Sequence, residues 1–227
     1  NCIAGVNDMK NAPARILAEF LGTFAIVLIS AAAVMNGSDL TGAALAAGIS
    51  VFIGISAFAA ISGSHFNPAV TIALAATKRV PILDAIVYIF TQLIAAATAA
   101  AVLKSAFGAM GGYTKLGEGV MTNTGIMVEG IATFILMITI LGVSTNAKGE
   151  VAIQQGFPIG MAVAAGIYFA GPLTGAAMNP ARWFGPAIVG GEVSGAIVWI
   201  AGPILGALAA IFIYDIALKP GIYSDKN

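Results

Sequence analysis

Few residues in this chain could do chemistry, and most of those come in pairs. Asn67-Pro68-Ala69 recurs as Asn179-Pro180-Ala181, with Arg182 directly behind the second copy. Glu19 and Glu129 form a second pair, each followed four and five residues later by Thr and Phe. His65 is the only histidine and Cys2 the only cysteine. That supply excludes a disulfide framework within the chain and most metal sites, and it leaves no nucleophile paired with a base. Thr71, Thr77 and Gln92 read as packing or hydrogen-bonding residues. The chemistry on offer is therefore recognition by hydrogen bonds and fixed charge, not catalysis, and no cofactor or metal is implied.

Asn is a preferred helix N-cap, and Pro fits the first helical turn because its missing N–H would be unsatisfied there anyway. Each Asn-Pro-Ala thus reads as the start of a helix. Arg182 follows Asn179 by three residues, which puts both on one helical face.

The elements that must position these residues lie in lipid. The 227 residues are 59% hydrophobic and only 9% charged, against about 25% charged in a soluble domain. Ten basic and ten acidic residues balance, which argues against a nucleic-acid partner. A membrane-spanning helix needs roughly 20 mostly apolar residues. Six segments qualify: about 14–35, 41–61, 83–103, 124–145, 154–173 and 193–218. The stretches Asn67 to Thr77 and Asn179 to Val189 are only about half a span long and read as re-entrant. Irregular backbone at membrane depth is tolerated where it is buried in protein or lines a watery cavity. Two half-spans therefore imply such a cavity.

The two halves of the chain repeat. Glu19 matches Glu129 at an offset of 110, Gln92-Leu93-Ile94-Ala95-Ala96 matches Pro203-Ile204-Leu205-Gly206-Ala207 at 111, and the two Asn-Pro-Ala copies match at 112. Each half holds three spans, an odd number, so the second half sits inverted. Inverted repeats place a shared site near the bilayer midplane, with broken helices pointing at it. The expected fold is an all-α membrane protein with six transmembrane helices, two re-entrant half-helices and an inverted 3+3 repeat. The expected organisation is a tail over 1–13, a channel domain over 14–218 (first repeat 14–103, second 124–218) and a tail over 219–227. Lys10, Arg15, Lys78, Arg79, Lys148, Lys219 and Lys226 flank one side, and only Lys104 and Lys115 the other. The excess of basic residues makes that first side cytoplasmic, with both termini on it.

Two half-helices starting near the midplane from opposite sides bring two positive dipole ends together. Such a pair is a barrier to cations and protons that a neutral solute can pass. Arg182 has Val70 as its counterpart in the first half, so the permanent charge stands at one end only. Glu19 and Glu129 have two readings. They could be a proton relay, or carboxylates that accept the otherwise unpaired N–H groups of the re-entrant loops, and the second is preferred. His65 could be a pH gate; the preferred reading is that it lines the pore and offers a nearby carbonyl. Gly63 and Gly175 permit tight turns, with loop carbonyls facing the solute.

The segments Gly63-Ser64-His65-Phe66-Asn67-Pro68-Ala69-Val70-Thr71 and Gly175-Ala176-Ala177-Met178-Asn179-Pro180-Ala181-Arg182 resemble the paired signature loops of the aquaporin, or major intrinsic protein, family. With the Glu pair and the six-span repeat, the resemblance covers about residues 14–218. It implies a membrane channel passing water and, as an open possibility, small neutral solutes such as glycerol, urea or ammonia, in a homotetramer with one pore per subunit. It also implies a selectivity constriction at Ala47, Ile167, Ala176 and Arg182, with Gly63, Ser64, His65, Gly175 and Ala177 as pore-lining loop positions. Water-selective members resemble an aromatic at the first of the constriction positions and a His at the second, so this chain should have a wider opening. Trp183 stands where glycerol channels usually carry Asp, while Ala187 and Trp199 look more like water channels. The alternative from another class is an inverted-repeat transporter coupled to protons through Glu19 and Glu129.

Overall fold

The computed structural model describes residues 11–146 and 152–218, which are helical throughout apart from their connections. In chain order the helices are α1 (Ala12–Met35), α2 (Leu40–Ser62), α3 (Pro68–Ala76), α4 (Ile82–Phe107), α5 (Thr122–Asn146), α6 (Ala152–Thr174), α7 (Pro180–Gly190) and α8 (Ile197–Ile213). The last continues as one π-helical turn, Tyr214–Leu218. Six of these helices are long and apolar enough to cross a membrane. α3 and α7, with 9 and 11 residues, rise only about 14 and 17 Å at 1.5 Å per residue, half of a bilayer core.

Large apolar side chains face outward. Leu83, Phe90, Ile94, Leu205 and Phe157 are all exposed, whereas Ala95, Ala96, Ala99 and Ala100 are completely buried. This is the arrangement expected where the solvent is hydrocarbon and small residues let backbones approach. One such approach joins the two repeats. A Cβ on Gly48 of α2 would stand 2.6 Å from the Gly160 carbonyl oxygen of α6, and a Cβ on Gly160 would collide with the Gly48 carbonyl in return. The two glycines are 112 residues apart, so the crossing point of α2 and α6 lies on the pseudo-twofold axis.

Around that axis the packing is paired. α1 contacts α2 and α4, as α5 contacts α6 and α8. The half-helices lean across the repeat: α3 packs on α8, and α7 on α4. Each re-entrant segment is therefore clamped by the opposite half.

Two helix boundaries differ from the sequence expectation. α4 runs on to Phe107, where Gly108 ends it with a left-handed φ of 77°. α8 begins at Ile197 and not at 193, because Gly191 and Gly195 take φ of 78° and 69° and turn the chain before it. Of the basic residues expected on one face, Arg15 pairs with Asp84 (2.6 Å) and Arg79 with Asp215 (2.6 Å). Both pairs tie the start or end of a spanning helix to its neighbour. Lys10, Lys148, Lys219 and Lys226, the terminal segments 1–10 and 219–227, and Cys2 lie outside the described residues.

Candidate functional site

Both Asn residues sit where a helix begins. Asn67 (φ −152°, ψ 117°) and Asn179 (φ −155°, ψ 112°) are extended N-caps followed by Pro in the first turn. The Oδ1 of each accepts from the backbone N–H two residues on, Ala69 and Ala181, both at 2.9 Å. The Nδ2 groups cross over. Asn67 donates to the Met178 carbonyl (2.8 Å), and Asn179 to the Phe66 carbonyl (2.9 Å). An amide NH₂ has two hydrogens, so each Asn keeps one for a solute. The reciprocal bonds lock the two half-helix starts against each other at the centre of the molecule.

The loops leading into these caps owe their shape to the two carboxylates. Glu19 accepts from Ser62 Oγ (2.7 Å), His65 N (2.9 Å), Phe66 N (2.8 Å) and Gln92 Nε2 (2.9 Å). Glu129 accepts from Thr174 Oγ1 (2.6 Å), Ala177 N (2.9 Å) and Met178 N (2.7 Å). Every partner is a donor, which is the bonding pattern of a carboxylate. Both glutamates are completely buried, behind the loops and away from the cavity described below. With the loop N–H groups turned toward Glu19 and Glu129, the loop carbonyls are left for the other side.

This arrangement strains the backbone. Ser64, Phe66, Ala176 and Met178 take φ of 52°, 50°, 48° and 51°, alternating after Gly63 (84°) and Gly175 (76°). Non-glycine residues rarely adopt that region, at a cost of order 1–3 kcal/mol each. The glutamate bonds hold them there. Two more bonds fix where each loop leaves its helix: Tyr88 donates from its hydroxyl to the Ser62 carbonyl (3.0 Å), and Trp199 from Nε1 to the Thr174 carbonyl (3.0 Å).

One cavity runs between the halves and is lined by both. Asn67 and Asn179 face it at the centre. Ala47, Ile167, Ala176, Ala177 and Arg182 line the part toward the face that carries the loop between α4 and α5, hereafter the outer part. Gly63, Ser64, His65, Ile55, Val70 and Ile159 line the inner part. Ser144 and Gln155 stand near the inner mouth. Among the described residues no Asp or Glu lines it. The rest of its wall is mostly apolar, with residues such as Ile26, Val51, Phe66 and Val163, and includes one further hydroxyl, Ser30.

Arg182 is buried, and its Nη1 donates to the Gly112 carbonyl (3.2 Å) in the outer loop between α4 and α5. That loop is pressed into place. Gly112 has φ 65°, and a Cβ there would lie 2.7 Å from the Ala31 carbonyl. His65 binds Thr71 through Nδ1 (3.2 Å) and meets the Tyr88 ring edge-on at 5.2 Å. The Thr71 hydroxyl donates to the Asn67 carbonyl (3.0 Å) and accepts from Gln92 (3.1 Å), which joins His65 to the central cap.

Several expected positions fall elsewhere. Gly175 does not reach the cavity wall. It is spent on a turn against the outer loop, where a Cβ would stand 2.8 Å from Thr114 Cα. Of each Asn-Pro-Ala, only the Asn faces the cavity. Ala69 and Ala181 are fully buried in packing, Ala181 with Val27, Ala96 and Ala99; Pro68 and Pro180 are buried at the first helical turn. Sequence reasoning missed Ser62 with Thr174, Tyr88 with Trp199, and the cavity-facing Ser144 and Gln155. The first two pairs carry the repeat offsets of 112 and 111, which could have marked them. Among the described residues no group of three His, Cys, Asp or Glu is placed to hold a metal.

With this geometry in hand, comparison with known proteins is decisive. The model of the major intrinsic protein family matches residues 7–214. This chain belongs to the aquaporin, or major intrinsic protein, family. The relatives of this aquaporin-family protein include a glycerol uptake facilitator protein-like 6 from Lactiplantibacillus plantarum, 39% identical over 87% of this chain and 95% of that protein. They also include aquaporin NIP1-1 from Oryza sativa subsp. japonica, 37% identical over 89% of this chain and 73% of that protein. Among solved structures, the aquaglyceroporin from Plasmodium falciparum superposes with a TM-score of 0.85 at 25% identity, covering 93% of this chain and 98% of that one. The chain is thus a multi-pass membrane protein of a channel family, and the six-span, two-half-helix fold is the family fold.

Proposed function

We propose that this protein is a passive channel for water and for small neutral solutes of the glycerol, urea and ammonia class, and that it excludes protons and ions. The observation that carries the reading is the pair of mutually locked half-helix starts. Each Asn offers one remaining amide hydrogen to a cavity in whose wall no carboxylate stands among the described residues. A neutral molecule with lone pairs can accept from both. A cation meets two positive helix ends and then the Arg182 guanidinium, and the nearby acid, Glu129, is spent behind the loop away from the cavity. A water hydrogen-bonded to both amides has its hydrogens turned outward, which interrupts a proton wire.

Ala47, Ile167 and Ala176 leave the outer part of the cavity open beside Arg182, and this supports passage of solutes larger than water. The two half-helices hold this barrier static, and Glu19 and Glu129 are fully engaged in loop support. Among the described residues a proton-coupled rocking mechanism finds no carboxylate in the cavity wall to carry it, and His65 there is held by Thr71 and the Tyr88 ring. The channel unit spans about 14–218, with tails on either side. The cell membrane, cytoplasmic termini and a homotetramer with one pore per subunit belong to the same reading, supported by the basic-residue bias and by the family. No enzymatic activity is proposed.

The test is stopped-flow light scattering on proteoliposomes of the full chain, with water, glycerol, urea and ammonia compared side by side. Water flux well above lipid background, with at least one of the solutes conducted and no proton leak, is expected. Flux indistinguishable from protein-free vesicles, or flux that saturates and collapses with a proton gradient, overturns the reading.

A further inference from the structure

The repeat offset of 112 that relates Gly48 to Gly160 also relates the outer constriction positions to residues of the inner half. Ala47 maps onto Ile159, Ile167 onto Ile55, Ala176 onto Ser64, and Arg182 onto Val70. All eight line the same cavity, and Ile55, Ile159 and Val70 are buried at 5%, 6% and 3% exposure. The pseudo-twofold axis thus builds the cross-section twice. Bulk is distributed differently between the two copies. The outer copy is Ala, Ile, Ala and Arg; the inner is Ile, Ile, Ser and Val.

We infer that Ile55, Val70 and Ile159 form a second, charge-free constriction, and that this inner ring sets the size limit for neutral solutes. The inference rests on the channel reading above. Two physical arguments support it. The first is steric, because Ile159 places a branched side chain where the outer ring has Ala47, and it converges with Ile55 and Val70. The second is solvation. At the outer ring a solute that sheds water meets the Arg182 guanidinium, which returns a hydrogen bond. At the inner ring the three aliphatic walls return nothing, and the polar groups of the Gly63-Ser64-His65 loop, the Ser64 hydroxyl among them, are offered on one side only. A polar group stripped of water without a full replacement carries a free-energy cost, and hydrophobic constrictions act as barriers through that cost. Water, small enough to keep its neighbours in file, is affected least. A polyol with many hydroxyls is affected most. Arg182 then selects on charge, and the inner ring selects on size and hydration.

The experiment uses the full chain in proteoliposomes with a graded series of ethylene glycol, glycerol, erythritol and ribitol. Ile159→Ala is expected to raise the permeability of the first excluded polyol about tenfold relative to water, a change of roughly 1.4 kcal/mol in its barrier. Widening the outer ring instead with Ile167→Ala, the repeat counterpart of Ile55, is expected to move the limit by much less than Ile159→Ala does. The opposite result, with the limit moving in Ile167→Ala and not in Ile159→Ala, overturns the inference. So does an unmoved limit in Ile159→Ala while its water flux stays intact. Should Ile159→Ala fold poorly, Ile159→Cys in a Cys2→Ser background, labelled with thiol reagents of increasing size, reads the same ring. Graded loss of the larger polyols before water supports it, and equal loss of all solutes overturns it. Absence of flux in the parent protein would instead strike the channel reading itself.

Discussion

Removing the Glu129 carboxylate with Glu129→Ala strips the second re-entrant loop of its anchor. The backbone N–H groups of Ala177 and Met178, bonded at 2.9 and 2.7 Å, are left in a buried site. Thr174 is less affected, because its hydroxyl also reaches the Ala170 carbonyl at 3.2 Å. An unsatisfied buried donor costs about 1–3 kcal/mol, so the loop loses roughly 2–6 kcal/mol of local stability. The strained φ angles at Ala176 and Met178 then have nothing to hold them. At about 1.4 kcal/mol per factor of ten, amide hydrogen exchange at 176–178 should accelerate by about 30-fold or more, and water flux should fall with it. Glu129→Gln should be milder, since its carbonyl oxygen still accepts while its NH₂ opposes one loop donor. Glu19→Ala should be more severe than Glu129→Ala, because Gln92 loses a partner too. The assay is hydrogen exchange by mass spectrometry on the reconstituted protein, beside stopped-flow water flux. Unchanged exchange at 176–178 would refute the loop-support reasoning. Intact water flux with a lost response to a proton gradient in Glu129→Gln would point to the relay in its place.

Other perturbations test other joints. Gly48→Val should lower thermal stability in detergent by about 1–3 kcal/mol, because its Cβ meets the Gly160 carbonyl; an unchanged melting profile would mean α2 and α6 cross elsewhere. Trp199→Phe removes the bond to the Thr174 carbonyl and weakens the ring stack on Trp183 (centroids 6.2 Å apart, 7° between planes). The expected loss is about 1–2 kcal/mol of stability, with water flux reduced and not abolished. Ala47→Phe should narrow the outer part and suppress glycerol relative to water in vesicle swelling. Unchanged solute ratios would show that position 47 does not border the path.

Much of this was legible in the sequence because membrane burial leaves few options. A half-span that opens with Asn-Pro in an apolar chain must be re-entrant, and α3 and α7 begin at Pro68 and Pro180 as that argument requires. The odd number of spans per repeat required inversion, and the mutual contact of Gly48 and Gly160 is its physical expression. Glu19 and Glu129 were recognisable as loop supports because unpaired N–H groups at membrane depth need acceptors. What remained hidden depended on direction more than on identity. Nothing in the triplet says that Ala69 and Ala181 turn away from the cavity while the asparagines face it, nor that Gly175 is used against Thr114. The Tyr88 and Trp199 anchors differ in chemistry while doing one job, so residue type alone could not pair them. The inner aliphatic ring was overlooked for a related reason. Ile and Val in a membrane helix look like lipid-facing bulk until the repeat aligns them with a constriction.

Water permeability measured together with proton leak in the same vesicles tests the locked half-helix barrier most directly. Stopped-flow light scattering on proteoliposomes carrying an internal pH dye reads both at once. Water flux clearly above lipid background, with internal pH unmoved under an imposed gradient, is the predicted result. Water flux at background, or protons crossing along with the water, would contradict it.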